Sequence, residues 1–119
     1  MKDNKLVLIA GPYRSGTGDD PAKIAHNVEA MEKMAYQVYQ LGHTPILGEW
    51  LALPLLREAG SAQIGDELFN RLFHTSAIRL LAHCDVVLRI GGSSAGADEM
   101  VKVGRQYGKE IIFGVDELR

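Results

Sequence analysis

The sequence has one cysteine, one tryptophan, four prolines and no excess of charge of either sign. Each shortage excludes something. A lone Cys84 cannot close an intrachain disulfide, and no second thiol stands at metal-ligand spacing from it, so it reads as an inert residue at a strand start. His26, His43, His74 and His83 show none of the paired spacing that zinc sites use. No metal and no cofactor is expected. With 13 Lys+Arg against 15 Asp+Glu, the formal net charge is -2, which leaves no basic footprint for a nucleic-acid polymer or an anionic membrane. No apolar run approaches the ~20 residues of a spanning helix. Met1-Lys2-Asp3-Asn4-Lys5 leads into a strand pattern without the apolar region of a signal peptide. The expectation is a cytoplasmic protein that takes a small-molecule ligand, with no nucleic-acid polymer and no membrane among its partners. Repeats, low-complexity stretches and linkers are also missing, and 119 residues suffice for one core but not for a separate substrate domain. Residues 1–119 therefore read as one domain.

What is present alternates between strand and helix patterns. Lys5 to Ala10 is a short apolar run closed by Gly11-Pro12, as in a central strand covered on both faces. Asp20-Pro21 supplies an N-cap and a first-turn proline, after which Ile24, Val28, Met31, Ala35 and Val38 recur at helical spacing until Gly42. His43 to Leu47 is a second strand, and Pro45 suits the sheet margin because it cannot donate to a ladder. Between Gly48 and Gly60 the residues are apolar but aperiodic, which predicts a loop or broken helix over the strand ends, with Trp50, Leu53 and Leu55 in the core or in a subunit contact. From Ala62 to His83, Ile64, Leu68, Leu72, Ser76 and Leu80 form a stripe flanked by Phe69, Phe73 and Ala77, which predicts one long helix. Asp85 to Ile90 is a strand whose entrance carboxylate caps local N–H groups. Met100, Val103, Gly104 and Tyr107 set the inward face of a last helix, and Glu110 to Gly114 is a last strand. Crossover helices between successive strands imply an α/β fold with a parallel sheet and helices on both faces.

Two glycine-rich loops follow strands. The first, Gly11-Pro12-Tyr13-Arg14-Ser15-Gly16-Thr17-Gly18, is not a P-loop, because Lys and Ser/Thr do not follow its second glycine in register. Nor is it a dinucleotide fingerprint, since Tyr13 occupies the place of the second glycine. It is a turn that bears a guanidinium, a phenol and two hydroxyls. Arg14 is able to hold a phosphate bidentately, with Ser15, Thr17 and the local N–H groups sharing it; the alternative is a solvated loop arginine. The second loop runs Gly91-Gly92-Ser93-Ser94-Ala95-Gly96-Ala97-Asp98-Glu99 after a buried strand. Ser93 and Ser94 suit N-capping. Three residues beyond Ser94 stands Ala97, so Glu99 is not the reciprocal partner of a capping box. Glu99 lies near a helix N-terminus at the carboxyl end of a strand, where ligands of open parallel sheets bind. It is either a ligand-facing carboxylate or a surface residue that stabilises the helix dipole.

Together, Ile9-Ala10-Gly11-Pro12-Tyr13-Arg14, Cys84-Asp85-Val86-Val87, Ser94-Ala95-Gly96-Ala97-Asp98-Glu99 and Gly108-Lys109 resemble the nucleoside 2-deoxyribosyltransferase superfamily, which includes 2'-deoxynucleoside 5'-phosphate N-hydrolases and small phage and bacterial homologues. The resemblance follows the whole chain in element order. It implies a flavodoxin-like three-layer sandwich with a parallel sheet of four or five strands in the order 2-1-3-4. It also implies cleavage of the N-glycosidic bond of a nucleoside 5'-monophosphate, by hydrolysis or transfer, with Glu99 as nucleophile and Tyr13 lining the sugar site. Ser93 matches a serine that contacts the 5'-phosphate, and Arg14 matches the first-loop arginine. Gly11, Ser15, Gly16, Ser94 and Gly96 of the two loops complete the candidate substrate-binding set. A neighbouring subunit completes the pocket in the related hydrolases, which implies a homodimer or higher homo-oligomer.

This sequence departs from the pattern twice. The transferases carry Gly-Thr-x-x-Glu before the helix, and the threonine is absent here. Family members also place an acidic residue on the helix before the third strand; Asp66 and Glu67 are candidates, while Thr75 stands nearer one register. Gly91 to Glu99 also resembles, without its proline and threonine, the Pro-Gly-Gly-x-Gly-Thr-x-x-Glu turn of cytokinin-activating phosphoribohydrolases, which cleave the same class of bond. The departing base needs a proton, for which Asp98, Asp66, Glu67 and Glu49 are candidates. The alternative function is a module that binds a nucleotide or an ADP-ribose-like ligand without turnover.

Overall fold

The computed structural model describes residues 4–61, 63 and 65–118. Strand β1 (Leu6–Ala10) leads to helix α1 (Pro21–Gln40), strand β2 (Thr44–Leu47), helices α2 (Gly48–Ala59) and α3 (Glu67–Leu81), strand β3 (Val86–Arg89), helix α4 (Ala95–Gln106), strand β4 (Glu110–Ile112) and a 3-10 turn at Val115–Glu117. The four strands form one parallel sheet in the order β2-β1-β3-β4. Val7 pairs with Pro45 on one side and with Val86 on the other, which puts the proline-bearing strand at the edge as its missing N–H requires.

Because successive strand side chains point to opposite faces, the sheet organises two cores. Val7, Ile9, Val86, Leu88 and Ile112 pack against Met31, Ala35 and Val38 of α1 and against Leu118. On the other face, Leu8, Ala10 and Val87 pack against Ala77 and Leu81 of α3 and against Met100, Val101 and Val103 of α4. The result is a three-layer α/β sandwich. Gly104 lets α4 sit close on the sheet, since a Cβ there would meet Ile111 at 3.0 Å and Val87 at 3.1 Å. Asp85 fixes the lower edge, its Oδ2 accepting the Leu6 N–H at 2.8 Å. Cys84 is buried with its thiol pushed up to about 11 by burial.

Four expectations change. Residues 48–59 form a continuous helix, not a loop, with Pro54 inside it. Its inward residues Glu49, Ala52 and Leu56 keep helical spacing, but Trp50, Leu51, Leu53 and Leu55 are exposed, so the apolar residues surround the helix and hide its period. Ala52 and Leu56 pack on Phe69, which offsets the roughly 3 kcal/mol that an interior proline costs. The helix expected from Ala62 begins instead at Glu67, because Gly65 takes a positive φ of 85° and Asp66 caps the next turn through Phe69 N–H at 2.7 Å. Ala62 and Ile64, placed in that helix by the sequence pattern, lie outside the described residues, as do Met1, Lys2 and Asp3. Tyr107 is exposed beyond the end of α4 instead of facing inward, and β4 ends at Ile112.

Candidate active site

The chain leaves β1 toward β2 on one side and returns to β3 on the other, so the loops after β1 and β3 diverge at a topological switch point. A cavity of about 360 Å³ opens there. Leu8 and Ala10 form its floor, α4 and α3 contribute two walls, and the start of α2 brings Glu49 to it. The first loop contributes Gly11, Tyr13, Arg14 and Ser15, and the second contributes Ser94, Gly96 and Glu99. Of the residues singled out in the sequence, Gly16 and Ser93 are exposed and lie outside this lining.

The first loop is held by its own side chains. Thr17 is buried, with its hydroxyl donating to the Arg14 carbonyl and accepting the Asp19 N–H at 3.1 Å, so it shapes the turn. Asn27 of α1 donates to the Tyr13 carbonyl at 3.0 Å. Arg14 makes a two-pronged pair with Asp19, Nε to Oδ1 at 2.8 Å and Nη2 to Oδ2 at 3.1 Å, and donates from Nη1 to Asn70 at 3.1 Å. Its guanidinium also lies 5.6 Å from the centre of the Phe69 ring. The hydrogen bond from Arg14 holds the Asp19 carboxyl below its usual range, and the same bond raises the Arg14 pKa. Gly65 leaves room for this guanidinium, which a side chain at 65 would strike.

Tyr13 is half-buried against Phe73, with ring centres 5.4 Å apart. Burial raises its phenol pKa and the nearby Glu49 raises it further, so the hydroxyl stays protonated and able to donate. In the second loop, Ser94 caps α4 by accepting the Ala97 N–H at 3.1 Å. The N–H groups of Ala95 and Gly96 open the same first turn without intrahelical acceptors. Arg89 ties the turn from behind, donating to the carbonyls of Ile90 and Gly92 and pairing with Asp98 at 3.1 Å. Glu99, one residue further along α4, is partly exposed and lines the cavity.

The carboxylates weighed in the sequence for proton delivery separate cleanly. Asp98 is paired to Arg89 with 72% of its side chain exposed, Glu67 is 92% exposed, and Asp66 is occupied as the cap of α3. Thr75 does not line the cavity. Glu49 does, at 5% exposure, and its Oε2 has no hydrogen-bond partner among the described residues. Burial pushes its carboxyl up to about 7, its own backbone N–H pulls the other way, and Glu32 adds to the rise.

The wall from α3 is the part that sequence reasoning missed. Phe69 and Phe73, with Asn70 and His74 beside them, line the cavity at four-residue spacing. That spacing is visible in the sequence, but it is equally the spacing of a core stripe. Among the described residues no group of three or more His, Cys, Asp or Glu is placed to hold a metal ion, and no helix is long and apolar enough to cross a membrane.

The fold is similar to that of a solved 2-deoxyribosyltransferase from the bacterium Bacillus psychrosaccharolyticus, with a TM-score of 0.63 over 89% of this chain and 69% of that one. Identity is 15%, so the likeness is one of architecture. No protein-family model matches the sequence, and a comparison with curated proteins finds no match.

Proposed function

We propose that this protein cleaves the N-glycosidic bond of a nucleoside 5'-monophosphate, by hydrolysis or by transfer to a second base, with Glu99 as nucleophile. The observation that carries this reading is that Glu99 of α4 and Tyr13 of the first loop, far apart in sequence, line one cavity at the carboxyl ends of β1 and β3. Glycosidic cleavage passes through an oxocarbenium-like state, and a carboxylate at the anomeric carbon stabilises or captures it. Glu99 bonds to C1' as the C1'–N bond breaks, and water or another base then displaces the ester. The Tyr13 hydroxyl, protonated and on the same cavity lining, is available to donate to that carboxylate. The architecture shared with a 2-deoxyribosyltransferase agrees with this chemistry.

The 5'-phosphate would meet the two remaining Arg14 N–H groups and the N–H groups of Ala95 and Gly96. Ser15, Ser94, Gly11 and Gly96 shape this end of the site. Residues 1–119 act as one domain in this reading. The exposed Leu51 and Leu55 of α2 form the contact of a homodimer. The test is incubation with a panel of nucleosides and 5'-monophosphates, with free base followed by chromatography. Base release that Glu99→Gln abolishes supports the reading. Tight binding of an intact nucleotide with no base released replaces it with a binding module.

A further inference from the structure

We propose that Glu49 is a catalytic residue of this cavity, the group that protonates the departing base and then deprotonates the incoming water. The inference rests on the glycosidic reading above and adds to it the identity of the acid–base group.

The geometry leaves one carboxyl for the task. The cavity has two among the described residues, Glu99 on α4 and Glu49 at the start of α2. If Glu99 attacks the sugar, Glu49 is the one that remains. Buried polar atoms in folded proteins nearly always find a partner, and those that do not call for a ligand or a role. Glu49 Oε2 is such an atom: buried, unpartnered among the described residues, and part of a cavity wall large enough for a base.

The surroundings favour the protonated form at rest. Of the titratable or charged groups around Glu49, Glu32 on α1 and Tyr13 of the first loop interact with it, and Arg14 of the first loop, His74 on α3 and Glu99 on α4 line the same cavity. Arg14 alone among them carries a permanent positive charge, and Asp19 and Asn70 already engage it. Glu32 is drawn to this corner by Trp50, whose Nε1–H donates to it at 3.1 Å, and its charge opposes ionisation of Glu49. Burial acts in the same direction, and the carboxyl loses its proton only near pH 7. An acid poised there is matched to its working range.

The step balances. A Glu99 oxygen bonds to C1', the C1'–N pair moves onto the base, and the Glu49 proton passes to a ring nitrogen. Water then bonds to C1', its proton returns to Glu49, and the ester bond to Glu99 breaks to restore the carboxylate. Nucleotide and water become free base and sugar phosphate, with both side chains as they began.

The test compares Glu49→Gln with the wild-type protein on two substrates. One is a natural purine nucleotide. The other is the same sugar phosphate carrying 4-nitrophenolate, which leaves without a proton. On the natural substrate kcat/KM of the variant should fall by about 10²–10⁴-fold, and the wild-type decline above pH 7 should vanish. On the nitrophenolate substrate, bond cleavage in the variant should stay within about threefold of wild type in a pre-steady-state burst. Equal losses on both substrates, or no loss on either, overturn the proposal while leaving the glycosidic reading intact. A wild-type protein that releases base from no substrate overturns both. Carbon-13 NMR of labelled glutamate gives a readout without turnover: one carboxyl should titrate near pH 7 and disappear in a folded Glu49→Gln protein. A spectrum without it also overturns the proposal.

Discussion

Helices α4 and α2 each bring a carboxyl to the same cavity, and they do so by opposite means. α4 begins with a side-chain cap at Ser94, buries a regular stripe of Met100, Val103 and Gly104, and leaves Glu99 partly in water. α2 begins without a side-chain cap, carries Pro54 in its interior, exposes Trp50, Leu51, Leu53 and Leu55, and buries Glu49. On α4 the local sequence dictates the helix and the helix presents the acid. On α2, packing against α3 through Ala52, Leu56 and Phe69 dictates the helix, and the acid is held by tertiary structure. One carboxyl is therefore set by local rules and the other by its surroundings.

Glu99→Gln is the strongest way to break the comparison. It should lower base release by about 10³-fold or more with little effect on folding, because an exposed end of the side chain is changed isosterically; a rate within tenfold of wild type removes the nucleophile. The next effect is on stability. The Glu49 carboxyl starts from an ordinary value of 4.5 and stands near 7 in the folded chain. Between those values the unfolded chain has lost the proton and the folded chain keeps it, so folding becomes weaker as pH rises from about 4.5 to about 7 and then levels off. The full shift corresponds to about 3 kcal/mol. Urea unfolding at pH 5 and pH 8 should show this loss in the wild-type protein and most of it missing in Glu49→Gln.

Arg14→Lys sharpens the comparison on the phosphate side. Lysine lacks the fork that pairs with Asp19, and KM for a 5'-monophosphate should rise about tenfold with less change for the parent nucleoside. Ser94→Ala removes the cap that begins α4 and should cost about 1 kcal/mol in thermal or urea unfolding. Light scattering of Leu51→Glu and Leu55→Glu should show monomers where the wild type shows a dimer, and a wild-type monomer excludes that contact.

The sheet was legible for a physical reason. β1 and β3 are short apolar runs because both of their faces are covered, and Gly42 and Gly108, with φ of 91° and 71°, end their helices where left-handed backbone is needed. α2 was not legible, because a helix whose buried positions include a glutamate and whose exposed positions are leucines reverses the pattern that periodicity detects. In the site, Tyr13, Arg14, Ser94 and Glu99 could be named from loops that follow strands. Phe69, Asn70, Phe73 and His74 could not, since a helical stripe looks the same against a core and against a cavity. Glu49 stood among four carboxylates with nothing local to separate it. Its burial, which sets it apart from the other three, belongs to helices and loops brought together by the fold.

The pairing of Arg14 with Asp19 has a consequence for how such a pocket changes its preferences. Asp19 is solvent-facing and is not itself part of the cavity lining, yet it pairs with the guanidinium of Arg14, which is. Replacing that single acid with a neutral residue would uncover a positive charge without adding or removing a wall atom. The charge presented at the cavity is thus adjustable from a position outside its lining.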